Sequence, residues 1–163
     1  MSRGAARLLA ILAIAWVAVV VAAPLALAHG YALFPAILYE AAGLICHQRP
    51  DRSFRLEGIQ LPVCARCFGL YAAAAAGALV AGMAGRVAAG EVLTRRASWI
   101  LAAAALPTAA TVALEWAHFL APGNAVRALS ALPLGATAGH FFVRALAAGS
   151  PPGRSPTQVR YHS

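Results

Sequence analysis

The sequence predicts an all-α fold: a polytopic membrane protein with a bundle of four transmembrane helices and a short interfacial helix ahead of a cysteine-rich loop. Three observations carry this expectation. Hydrophobic residues make up 61% of the chain and charged residues 11%, and the mean hydropathy of +0.72 exceeds that of soluble domains. Four apolar runs of about 20 residues match a hydrocarbon core of roughly 30 Å at about 1.5 Å of helix rise per residue. Charge, glycine or proline bounds each of those runs. The 163 residues then leave room for one transmembrane domain, 1–163, and for no separate soluble unit.

The elements follow in order. Residues 8–28, "LLAILAIAWVAVVVAAPLALA", lie behind Arg3 and Arg7 and form the first span. Ala26-Leu27-Ala28 ends that run in an A-x-A pattern, so a cleaved signal peptide is the rival reading. Residues 31–45 are too short to cross and carry Pro35 and Glu40, which places them in the interface. Spans at 62–84, 98–120 and 128–147 complete the bundle, and the segment 46–67 between them holds all three cysteines.

All thirteen basic residues are arginines, opposed by five acidic ones, for a net charge of +8. They are scattered over loops and helix ends without a basic face, which excludes nucleic acid as a partner and makes the lipid bilayer the expected one. With the N-terminus in the cytoplasm, Arg3, Arg7, Arg86, Arg95, Arg96, Arg154 and Arg160 fall inside, with Arg144 near that face. Arg49, Arg52, Arg55, Arg66 and Arg127 fall outside. The bias favours a multi-pass protein of the inner (cytoplasmic) membrane with the cysteine segment facing outwards. Thiols on that side are open to oxidation unless something such as a metal protects them.

Polar residues within the spans are costly, so their angular positions are informative. Thr108, Thr111, Glu115 and His118 are spaced by 3, 4 and 3 residues, and Ser130, Thr137, His140 and Arg144 by 7, 3 and 4, with Arg127 three residues before them. Both sets make one stripe of a helix. For the threonines and serines the plain reading is a hydrogen bond returned to the backbone. Gly69, Ala73 and Gly77 form a small-residue face, repeated by Gly135 and Gly139, which would admit another helix or a second copy of the chain in a homo-oligomer. Because each span reverses the last, Cys46, His47, Cys64, Cys67, Glu115 and His118 share one membrane face.

Pro62 suits a first helical turn, which would put Cys64 and Cys67 in the opening turns of the second span, where the helix dipole and Arg66 favour thiolate. Cys64-Ala65-Arg66-Cys67 has the sulfur spacing of zinc ligands; Cys46 and His47, with 17 residues between Cys46 and Cys64, would complete a Cys3His set for zinc or another transition metal. Glu115 and His118 are an E-x-x-H pair at one-turn spacing and further contributors. The alternative is thiol-disulfide oxidoreductase chemistry by Cys64 and Cys67, with Cys46 as a partner thiol, Glu115 as a further catalytic candidate and a quinone as electron acceptor. A disulfide of purely structural purpose, in a membrane scaffold or transporter-like protein, is the third reading. The arginines of "RPDRSFRLEG" are most simply a solvated loop. Otherwise they hold an anionic headgroup, a phosphate or Glu115.

Cys46-His47-Gln48, Arg52-Ser53-Phe54 and Cys64-Ala65-Arg66-Cys67 with Gly69 and Tyr71 give this chain a close resemblance to a family of small bacterial membrane proteins classed as a domain of unknown function. That family is marked by Cys-His-Gln-x-x-x-Arg-Ser-Phe followed by Cys-Ala-Arg-Cys-x-Gly-x-Tyr. Pro107, Glu115, Arg127, Gly135 and Gly139 match its looser downstream pattern, with glutamate where aspartate is commoner. The resemblance implies a shared site that includes Arg52, Arg66, Tyr71 and Arg127 as supporting residues, and it supplies no reaction.

Overall fold

The structure, a computed structural model, describes residues 3–83 and 95–148. Arg86, Arg154 and Arg160, assigned above to the cytoplasmic face, lie outside the described residues. Five α-helices account for most of what is described: α1 (Arg3–Ala28), α2 (Leu33–Gly43), α3 (Ala65–Met83), α4 (Arg95–Trp116) and α5 (Asn124–Ala148). Among the described residues, three stretches, Arg7–Ala28, Ala65–Met83 and Arg96–Trp116, are long and apolar enough to cross a membrane. The 25 residues of α5 have the length, but Arg127, His140, Arg144, Pro133 and the glycines and hydroxyls of this helix dilute its apolar content.

Side-chain contacts fix the sense of each helix. The rings of Trp16 and Tyr71 meet at 6.2 Å while Ala10 packs with Ala78 and Ala81, so α1 runs antiparallel to α3. Thr108 donates to the Ser130 carbonyl at 2.8 Å and Arg127 pairs with Glu115 at 2.7 Å, so α4 runs antiparallel to α5. Between α3 and α5 the register is parallel. A Cβ on Gly69 would collide with the Ala128 carbonyl, and one on Gly77 with that of Ala136. Gly135 and Gly139 press in return on the carbonyls of Leu70 and Ala74. The small-residue faces offered above to a second copy are thus occupied within one chain, where they let two backbones touch.

The C-terminal ends of α1 and α4 and the N-terminal ends of α3 and α5 therefore gather at one end of the bundle. There the loop expected to be solvated has structure of its own. Pro50–Arg52 form a 3-10 turn, and β1 (Arg55–Leu56) pairs with β2 (Ile59–Gln60) in an antiparallel hairpin, Leu56 opposite Ile59. Its two turn residues, Glu57 and Gly58, both have positive φ, 51° and 76°, the conformation of a type I′ turn. Ser53, beside the 3-10 turn, is buried and donates to the Arg49 carbonyl at 2.9 Å.

Helix ends also depart from the sequence reading. Pro62 does not open α3, which starts at Ala65. α4 stops at Trp116, short of the expected 120, because His118 takes the left-handed conformation (φ 57°). The Phe119 amide bonds the Leu114 carbonyl at 3.0 Å and the His118 amide that of Glu115 at 3.2 Å. This is a Schellman cap with histidine in the place usually held by glycine.

Candidate functional site

Cys46 follows α2, its amide donating to the Ala42 carbonyl at 2.9 Å. Beyond it the chain turns at Gln48, whose φ is 48°. The Gln48 side chain donates to the Tyr39 carbonyl and its own carbonyl accepts from the Gln60 side chain, each at 2.6 Å. The Tyr39 hydroxyl in turn donates to the Gln60 carbonyl. These bonds tie the end of α2 to the hairpin, and the hairpin leads through Leu61 and Val63, both buried, to Cys64.

Cys64 occupies the residue before α3, and its carbonyl accepts the Phe68 amide at 2.9 Å. It is thus the N-cap, and the amides of Arg66 and Cys67 face its sulfur as they would face the oxygen of a capping serine. The bond from the Cys67 thiol, more than these amides and the Cys46 thiol, lowers the Cys64 thiol to about 5 against the opposing effect of burial. Cys67 lies one turn further on. The Cys64 amide donates to the Cys46 sulfur at 3.1 Å.

The three sulfurs lie within 4.8 Å of one another, all as free thiols. Cys46 is buried, and Val20, Ala42, Leu61 and Val63 form the apolar core around it, with Trp16, Phe68 and Tyr71 packed on the outside. Among the described residues this is the group of side chains that could hold a metal ion. Tetrahedral zinc with sulfur ligands at about 2.3 Å requires sulfur separations of about 3.8 Å, so a small contraction of the trio fits the ion. His47, next in the chain, is exposed and outside the trio.

Glu115 and His118 share the same end of the bundle, but the structure gives them other work. The Glu115 carboxylate, 8% exposed, is held by Arg127 at 2.7 Å, Arg66 at 2.9 Å and Arg52 at 3.1 Å. The exposed His118 makes the cap of α4 with its backbone. Arg127 also donates to the side-chain oxygen of Asn124 at 3.0 Å, and Asn124 donates to the Ser53 carbonyl at 2.9 Å, fastening α5 to the loop. Asn124 and the buried Leu61 and Val63 carry no motif. For Asn124 the available signal was a capping residue type at the start of a helix.

A family model described as "Predicted membrane protein (DUF2085)" matches residues 46–141. The segment is similar to an uncharacterized protein of Methanocaldococcus jannaschii, 49% identical over 43 residues, which are 26% of this chain and 28% of that protein. It is also similar to an uncharacterized protein of Methanothermobacter thermautotrophicus, 52% identical over 27 residues, 17% of this chain and 24% of that one. The chain thus spans about a quarter of the length of each. No solved structure matches.

Proposed function

The chain belongs to the DUF2085 family of predicted membrane proteins, and from that membership we propose that it is a small polytopic membrane protein carrying a thiolate metal site for zinc or another thiophilic transition metal. One observation carries the reading: Cys46, Cys64 and Cys67, drawn from two separate segments, bring their sulfurs within 4.8 Å inside an apolar shell. Three thiolates are soft, anionic donors suited to such an ion. The fourth position falls to His47, the adjacent donor, or to an exogenous ligand, which separates a closed structural site from an open one.

In this reading the single domain covers 1–163. The helix α5 crosses the bilayer as a fourth span beside α3, since Arg127 and Ser130 turn towards α4 and Asn124 towards the loop. The short α2 lies in the interface, and the arginine bias puts the thiol end outside the cytoplasmic membrane. The fitting of Trp16 and Val20 of α1 into the shell of the site favours a retained first span over a cleaved one.

A second reading has its own support. Cys64 at a helix N-terminus with Cys67 one turn on is the arrangement of dithiol redox pairs. Oxidation of the pair to a disulfide would pass two electrons and two protons to an acceptor of the quinone class. Metal analysis of protein purified without chelator, with the thiol state of each cysteine mapped on the same sample, separates the two. One equivalent of metal lost in Cys64→Ser supports the metal site. Metal-free protein with Cys64 and Cys67 reversibly joined overturns it in favour of the redox pair.

A further inference from the structure

The group around Glu115 is not neutral. Three guanidiniums, those of Arg52, Arg66 and Arg127, converge on one carboxylate, leaving two positive charges in excess. Asp51 relieves little of this, because it is exposed and shared at 3.5 Å between Arg52 and the exposed Arg49. Burial at this level makes the excess costly: the Arg127 side chain is 9% exposed and that of Arg66 17%. The Nε groups of Arg66 and Arg127 are buried without a hydrogen-bond partner, in a region where such groups are ordinarily satisfied, and that of Arg52 has only the Asp51 carboxylate, 3.5 Å away.

An uncompensated pair of charges with unused guanidinium donors is a binding site for an anion. Arg52, at 28% exposure, is the open side of the group. Glu115 stands one residue from the end of α4 and Arg127 three residues into α5, so the site lies where a spanning bundle meets the headgroup layer. Planar, forked donors in threes match the oxygens of a phosphate better than a single carboxylate.

We propose that Arg52, Arg66 and Arg127, organised by Glu115, bind a phosphate group at the thiol end of the bundle, presented by a lipid headgroup or as a free phosphate. This does not depend on metal at the cysteines. The experiment uses full-length protein in nanodiscs of phosphatidylcholine. Its thermal unfolding is followed with inorganic phosphate against chloride at equal ionic strength, and separately with phosphatidylglycerol replacing part of the phosphatidylcholine.

Stabilisation by inorganic phosphate alone supports the site and identifies a free phosphate; stabilisation by phosphatidylglycerol alone supports it and identifies a headgroup. Stabilisation by both, with one reducing the effect of the other, supports one site open to either source. Arg52→Gln, at the most exposed of the three, is expected to weaken the effect at least tenfold, with Arg52→Lys intermediate, while the metal content measured on the same samples is unchanged. No stabilisation by either probe, or equal stabilisation in Arg52→Gln, overturns the proposal. Arg127→Gln repeats the test where that chain folds.

Discussion

Each sulfur of the site reaches it by a different backbone device: Cys46 by the amide hydrogen bond that fastens it to the end of α2, Cys64 as an N-cap, Cys67 by one turn of helix. Cysteine-to-serine changes at the three positions should therefore each abolish stoichiometric metal, as read by metal analysis, because a hydroxyl does not replace a thiolate as a soft ligand. His47→Ala should retain the metal; unchanged affinity in a competition titration would leave the fourth position to an exogenous ligand. The cysteines were legible from their crowding and the Cys-x2-Cys spacing. The role of His118 was not, since histidine gives no sign of a left-handed cap. As such residues strain the backbone where glycine does not, His118→Gly should raise unfolding stability by about 1 kcal/mol in a denaturant titration, with metal content unchanged. Glu115 was legible as an inward acid, but the meeting of three arginines on it depends on a loop fold that no local pattern encodes.

Among the elements, the α3–α5 pair is the tightest, and its glycines were readable as close-approach faces. What could not be read was that the partner is the same chain, because two glycine stripes in one sequence fit an internal and an external neighbour equally. Gly77→Leu should push the helices apart and destabilise the protein by about 3 kcal/mol. Gly123→Ala, where a Cβ meets nothing within 4 Å, should stay within about 0.5 kcal/mol of the parent; both are read from the same unfolding curves. The hairpin escaped the sequence reading for a related reason. Glu57-Gly58 is a weaker type I′ signal than Asn-Gly, and strands of two residues show no alternation.

At the scale of the whole molecule, hydropathy and the reversal of direction at each span were enough to put the cysteines, Glu115 and His118 at one end of the bundle. The number of crossings is harder to read, because Arg127 and Ser130 of α5 pair with Glu115 and Thr111 of α4 and lower the apolar content of a helix that is otherwise long enough to cross. Orientation is open to direct measurement. With metal removed, a membrane-impermeant thiol reagent applied to intact cells should modify the half-buried Cys64 and Cys67 and spare a cysteine introduced at residue 90; the opposite pattern would invert the protein. The two polar centres also differ in when they can exist. The sulfur trio and its apolar shell draw on residues between Trp16 and Tyr71, so everything the thiol site needs has left the ribosome once α3 is made. The arginine cluster must wait for Glu115 and Arg127. Biogenesis in the membrane thus has a built-in sequence, in which the first half can be fastened at the cysteines and the last two helices join a platform already closed.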